Sequence, residues 1–317
     1  MRFFLSRLLP VTVSFLIFSG GVAAAESAKS SPVLAAIAER YFQDFVSLNP
    51  LSGSAMLGEA RFEDKLEITI APAHKARSKA LYQRVQRELT RLDKTKLNVA
   101  DALTVALLTE EISKRLESFT YPSELMPIDQ YGGLPVEVAQ FGNGQGIQPL
   151  KTVKNVENYL KRLNRLPTFI DQAVTNMREG MRLGVVMPRP LIESALPSLQ
   201  AMTEKNIEKS VFYSAVKNMP TSFSPADQKR LQSAYRSAID QRLQPAMAKL
   251  VKFIEAEYLP ACRSSAGIDA LPNGKNWYAF NVRLQTTTTM NPDEIHALGL
   301  KEVARIRGEM EKNQGAL

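Results

Sequence analysis

Apolar positions recur at helical spacing along most of this chain. The first such stretch begins at Pro32 and stops before Asn49-Pro50, which predicts a helix between these two helix-boundary signals. The same three- and four-residue spacing predicts helices over residues 73–93 and 99–119. Because each of these helices has one apolar face, we expect them to pack antiparallel against one another.

The helical pattern is lost between residues 120 and 150, where prolines and glycines predict a long loop. The helix that follows is expected to be interrupted at Pro167. A long helix that begins at Pro225 should be kinked or broken by Pro245. A last helix is predicted from Asn291, whose side chain is suited to an N-cap. The fold class predicted for residues 26–317 is therefore mainly α, a bundle-like domain of many helices.

One stretch has a different period. Apolar residues alternate with polar residues from Tyr278 to Leu284, and four threonines follow, which predicts a short β-strand or hairpin near residues 277–289. One side of such a strand would present groups that suit an extended peptide or a carboxylate. An ordinary solvated strand face explains the same alternation. The candidate substrate-binding residues are Tyr278, Asn281, Arg283, Gln285 and Thr287.

The N-terminus has the pattern of a secretory signal peptide. Arg2 and Arg7 precede a short apolar run, and small residues ending in Ala23-Ala24-Ala25 follow it. The run is shorter than the ~20 apolar residues that span a bilayer. We expect residues 1–25 to be removed by cleavage after Ala25, which leaves a periplasmic or secreted protein with no membrane anchor.

Charge and composition exclude several classes of function. Removal of Arg2 and Arg7 lowers the net charge from +8 to +6, and the basic residues are scattered among acidic ones, so no nucleic-acid partner is expected. A catalytic zinc site needs two or three clustered histidine or cysteine ligands. The chain has only His74, His296 and one cysteine, so we assign no metal ligand and no catalytic residue. Each histidine is expected to be a surface or capping residue.

Several segments resemble the bacterial proteins of domain-of-unknown-function 885. The most specific resemblance covers residues 271–299, and shorter ones accompany it earlier in the chain. The matching segments are Leu271-Pro272-Asn273-Gly274-Lys275, Trp277-Tyr278, Arg283 to Thr288, Asn291 to Gly299, Met126 to Gln130, Val156 to Leu163 and Gly180 to Pro188.

The resemblance implies an exported or lipid-anchored, largely helical protein that is roughly twice this long and similar to zinc metallopeptidases. In the proteins of that family, the histidine and glutamate residues that would hold zinc and act as general base lie in the C-terminal half. This chain would then be an N-terminal half that forms the substrate cleft, inactive alone, with zinc expected only when the other half is present. The alternative hypothesis is a non-catalytic helical binding or structural protein of the periplasm. Neither hypothesis fixes the oligomeric state.

Overall fold

The computed structural model describes residues 30–144 and 147–314, and these residues form an almost entirely helical structure. The predicted signal peptide lies outside the described residues. No helix in the described ranges is both long enough and apolar enough to cross a membrane. The helices are α1 (Pro32–Leu48), α2 (Pro50–Met56), α3 (Pro72–Thr90), α4 (Val99–Ser118), α5 (Gly133–Gln140), α6 (Val153–Leu183), α7 (Arg189–Ala201), α8 (Ser214–Lys217), α9 (Pro225–Ala238), α10 (Gln244–Phe253), α11 (Leu259–Ala261), α12 (Gly274–Thr286) and α13 (Pro292–Gln314).

Helix α6 is the centre of the main core. Thr152 and Asn155 form a capping box at its start, and Gly184, with φ of 71°, ends it in the left-handed conformation that glycine tolerates. The predicted interruption at Pro167 is wrong, because α6 continues through this residue. The neighbouring Leu166, Phe169 and Ile170 are buried in the core, and this packing offsets the missing backbone donor.

Two π-helical turns lie in the long helical segment that begins at Pro225. They span Ile239–Leu243 and Ile254–Tyr258, and a proline follows each of them, Pro245 in one case and Pro260 in the other. A proline ring clashes with the carbonyl four residues earlier, and a wider turn relieves that contact. The expected distortion near Pro245 is therefore confirmed as a π-bulge.

A second core forms where α1, α3 and α4 pack together. Its buried residues include Leu34 and Ile37 from α1, Val85 from α3, and Val105 and Ile112 from α4. The predicted packing of the first three long helices is confirmed, although the short α2 follows α1 directly.

The predicted strand at residues 277–289 is wrong, since α12 occupies most of this range. Trp277 and Phe280, three residues apart, are buried against Tyr121, with ring centroids 5.7 and 5.0 Å from its ring. Tyr278 and Leu284 belong to the alternating pattern but are 47% and 41% exposed. The alternation of apolar and polar residues therefore does not reflect a strand, and the buried residues lie on one face of a helix.

The predicted loop at residues 120–150 is also wrong in part, because it contains α5. Asp129 accepts hydrogen bonds from the backbone N–H groups of Tyr131 and Gly133, which fixes the turn before the helix. Val138 and Ala139 are then buried in the main core. The glycines and prolines correctly indicated turns in this segment, but the short packed helix α5 between them was not predicted.

Candidate functional site

A cavity of about 330 Å³ lies between α3, the end of α4 and the segment that follows α4, and we call it the polar cavity. Helix α3 contributes His74, Lys75 and Ser78 on one face, since residues four apart are neighbours on a helix. The end of α4 supplies Arg115, and the 3₁₀ turn Ser123–Leu125 supplies Glu124. An aromatic wall is formed by Tyr82, Phe119 and Tyr121.

Arg115 is held in a fixed position. Its guanidinium lies 4.9 Å from the ring centroid of Phe45 and 5.5 Å from that of Tyr82, and its Nε donates to Glu111 at 2.6 Å. Burial disfavours the charge on Arg115, but Tyr82, Tyr41 and Glu111 outweigh burial and raise the pKa of the guanidinium. Burial also raises the pKa of Tyr41 to about 12. Arg115 is therefore a preorganised, permanently charged group in the wall of the cavity.

Lys75 and Glu124 form an ion pair across the polar cavity, with 2.5 Å between Nζ and Oε1. Both side chains are partly exposed, so the pair can rearrange when a charged ligand enters. With His74 neutral, two cations and one carboxylate line the cavity. Glu111, which does not line the cavity, pairs with Arg115, so each cation has a carboxylate partner, and Lys75 and Arg115 are the donors that an anionic ligand would contact.

His74 is the buried polar residue of this site, with only 6% of its surface exposed. Its Nε2 lies 3.2 Å from Ser78 Oγ, within hydrogen-bond reach. Its Nδ1 lies 3.8 Å from Glu67 Oε1, too far for a direct hydrogen bond, and has no other partner within the described residues. Burial lowers the pKa of His74, so the imidazole is neutral at pH 7. The expectation of a surface or capping histidine is wrong for His74, whereas His296 is exposed.

The burial of His74 makes stability depend on pH. Because its pKa is lowered in the folded state, only the unfolded chain takes up this proton just below the ordinary histidine pKa of about 6.5. Above that pH, His74 does not affect how the free energy of unfolding depends on pH. As the pH falls below it, proton uptake by the unfolded chain lowers the free energy of unfolding by at most about 1.4 kcal/mol per pH unit. We expect His74→Gln to lose less stability than wild type between pH 7 and pH 5.

Urea denaturation at both pH values measures this difference. The matched control is His296→Gln, which replaces the exposed imidazole on α13 and should retain the wild-type pH response. An unchanged pH response in His74→Gln would show that His74 does not resist protonation in the folded protein.

The candidate residues predicted from the sequence lie on or just beyond α12 and do not line the polar cavity. On a helix, residues two positions apart point in nearly opposite directions, so the candidate residues do not form a row on one side. Arg283 instead forms an ion pair with Glu117 of α4, Tyr278 and Gln285 are exposed, and Asn281 is half-buried. Thr287 ends the helix in a left-handed conformation with φ of 55°.

The polar cavity was missed because four separate chain segments build it. The one local signal was the four-residue spacing of His74 and Ser78 on the predicted second helix, and this spacing does not reveal burial. Predicted and observed sites are nevertheless close, since Glu117 precedes the cavity residue Ser118, and Tyr121 packs on α12.

Two solved structures resemble this fold, and both are described as a "putative lipoprotein". The protein from Colwellia psychrerythraea matches with a TM-score of 0.73 and 18% identity, over 88% of this chain and 50% of that one. The protein from Shewanella oneidensis, of unknown function, matches with a TM-score of 0.61 and 16% identity, over 90% of this chain and 47% of that one. This chain thus spans about half the length of either protein.

The comparison with curated proteins found no match. The sequence profile of one family matches residues 52–317, which include every predicted site residue and all lining residues of the polar cavity except Asn49. The resemblance inferred from the sequence motifs is confirmed by this match: the chain belongs to the DUF885 family of bacterial proteins of unknown function.

Proposed function

We propose that this chain is the substrate-binding part of an exported peptidase-like protein, and that the polar cavity holds the carboxyl-terminal end of a peptide. The carrying observation is that Lys75 and Arg115, each paired with one carboxylate, lie beside an aromatic wall. Lysine and arginine bind carboxylates through charge-assisted hydrogen bonds, and aromatic rings provide apolar contact with the rest of the peptide.

Two observations support export. The sequence begins with a predicted signal peptide, and the two similar structures are described as lipoproteins. The chain itself is assigned binding and not bond cleavage. Within residues 30–144 and 147–314, no three histidine, cysteine, aspartate or glutamate side chains are grouped so that they could hold a metal ion. Zinc and a general base would come from the part of the family architecture that this chain does not span.

The substrates of the proposed site differ from those expected at the predicted strand. An exposed strand edge would bind an extended peptide through its backbone, whereas a cavity with fixed charges recognises a chain end. Tyr278 and Arg283 do not line this cavity and have no role in the proposed carboxylate site.

The test is isothermal titration of the mature protein with trileucine and with trileucine amide. We expect amidation of the carboxyl end to weaken binding by about tenfold or more, because a charge-assisted contact is lost. Lys75→Met should weaken binding of the free acid to a similar extent, since it also leaves Glu124 facing the ligand carboxylate.

Lys79→Met is the matched control, because Lys79 is exposed on the same helix and does not line the cavity. It should bind as wild type does. Equal binding of the acid and the amide, with no effect of Lys75→Met, would rule out carboxylate recognition in this cavity.

A non-catalytic periplasmic binding protein would use the same cavity, so titration does not separate the two hypotheses. Hydrolysis does. We expect the Colwellia psychrerythraea protein, which is twice the matched length, to cleave peptides that this chain binds. Binding without hydrolysis in both proteins would favour the binding-protein hypothesis.

A further inference from the structure

A second cavity of about 440 Å³ adjoins the polar cavity, and we call it the apolar cavity. Leu51, Leu66, Leu134 and Ile147 are among its lining residues. The two cavities share Asn49 and Thr69 as lining residues. Glu67 lines the apolar cavity and His74 lines the polar one, and 3.8 Å separates Glu67 Oε1 from His74 Nδ1. The cavities are therefore neighbouring compartments.

The two compartments differ in charge. Glu67 and Glu137 line the apolar cavity, and no lysine or arginine is among its described lining residues. Arg77 pairs with Glu67 from outside this cavity. Burial and the nearby carboxylate of Asp129 raise the pKa of Glu137, so an ammonium group placed beside it would stabilise its ionised form. The cationic donors Lys75 and Arg115 therefore line the polar cavity, whereas the carboxylate of Glu137 lines the apolar one.

This combination of charge and shape fits a short zwitterionic peptide. Such a peptide has a carboxylate at one end, an ammonium group at the other and side chains between them. Three extended residues span about 10 Å, comparable to cavities of this size. An apolar side chain would be removed from water by the leucine-rich wall.

We infer that the apolar cavity is a specificity subsite for the amino-terminal end of a short peptide, with an apolar side chain against Leu66 and Leu134 and the ammonium group toward Glu137. This inference rests on the proposed function, because it takes the polar cavity as the carboxylate site. It defines the substrate class as short peptides with both ends free and an apolar residue at the amino-terminal side.

The experiment is titration calorimetry of the mature protein with trileucine, trialanine, N-acetyltrileucine and decanoate. Trileucine should bind about tenfold or more tightly than trialanine, because each leucine buries additional apolar groups. N-acetylation removes the ammonium charge and should weaken binding by about fivefold or more. Decanoate has the carboxylate and an apolar chain without an ammonium group, so it should bind no better than N-acetyltrileucine.

Glu137→Gln tests the role of this carboxylate, and Glu137 is exposed enough that the change should not affect folding. The variant should bind trileucine as weakly as wild type binds N-acetyltrileucine, and N-acetylation should then have no further effect. Glu311→Gln, on the exposed surface of α13, is the matched control and should bind trileucine as wild type does.

The possible failures are distinguishable. If amidation weakens binding but N-acetylation, leucine-to-alanine replacement and Glu137→Gln do not, the carboxylate site stands and the subsite is wrong. If decanoate binds more tightly than trileucine and Glu137→Gln has no effect, the two cavities bind a fatty acid and the peptide inference is overturned. If amidation has no effect, the proposed function itself fails.

Discussion

Replacing Arg162 by methionine is expected to lower the free energy of unfolding by about 3–5 kcal/mol, because several buried acceptors lose their donor. Arg162 lies on α6 and has no exposed surface. Its Nε donates to the carbonyl of Lys65 at 3.1 Å, and its Nη2 donates to the carbonyl of Phe62 at 3.0 Å. Shorter contacts join it to Gln148 and Ser54. Methionine would leave these buried acceptors without partners.

The same network holds the walls of the apolar cavity. Ser54 lies on α2, and the segment from Phe62 to Lys65 precedes Leu66, so Arg162 attaches two lining segments to the main core. Burial lowers the pKa of Arg162 to about 10, and the side chain nevertheless remains charged at neutral pH. We therefore expect Arg162→Met to weaken peptide binding as well as stability.

Urea denaturation with the linear extrapolation gives the comparison. Arg165→Met is the matched control, because Arg165 is exposed on the same helix, and its effect should be within about 0.5 kcal/mol. Arg162→Lys should resemble the methionine variant, since lysine cannot reproduce the fork of donors. A loss below about 1 kcal/mol for Arg162→Met would show that the network contributes little net stability.

Hydrogen exchange is expected to be about 100-fold or more faster at residues 297–312 of α13 than at residues 99–119 around α4. No residue of α13 is buried, and Leu298, Leu300, Val303, Ile306 and Met310 are 46–60% exposed. Isolated helices are marginally stable in water, so the hydrogen bonds of α13 have little tertiary support. Helix α4 instead buries Val105 and Ile112 in the second core.

Mass spectrometry of exchanged, digested protein measures both segments in one sample, so α4 serves as the internal control. The exposed apolar face also predicts association at high concentration, which sedimentation would detect. Strong and equal protection of both segments in a monomer would contradict the expectation, because it would mean that α13 is stabilised within the single chain.

Local signals predicted helices whose ends are determined by nearby residues. At the start of α13, the backbone N–H of Glu294 donates to Asn291 Oδ1 at 2.9 Å, and that of Asn291 donates to Glu294 Oε2 at 2.8 Å. This reciprocal capping depends on residues three apart, which the sequence displays directly. The apolar faces of α1, α3 and α4 were predicted correctly for a similar reason, since a three- to four-residue period is a local property.

Features that depend on distant contacts were not predicted. Helix α12 is fixed by the packing of Trp277 and Phe280 on Tyr121, more than 150 residues earlier in the chain. His74 is buried by the fold around Glu67, although it lies near the start of α3, before the apolar residues that the spacing identified. The polar cavity exists only after α3, α4 and the following turn meet, and periodicity gives no information about this meeting.

The most direct test of the carboxylate site is a crystal structure of the mature protein grown with trileucine. We expect the peptide carboxylate within hydrogen-bond distance, about 3.2 Å or less, of Lys75 Nζ or a guanidinium nitrogen of Arg115. The leucine side chains should occupy the apolar cavity, with the ammonium group on the side of Glu137. A peptide bound along α12 or elsewhere, with the polar cavity free of it, would contradict the proposed function.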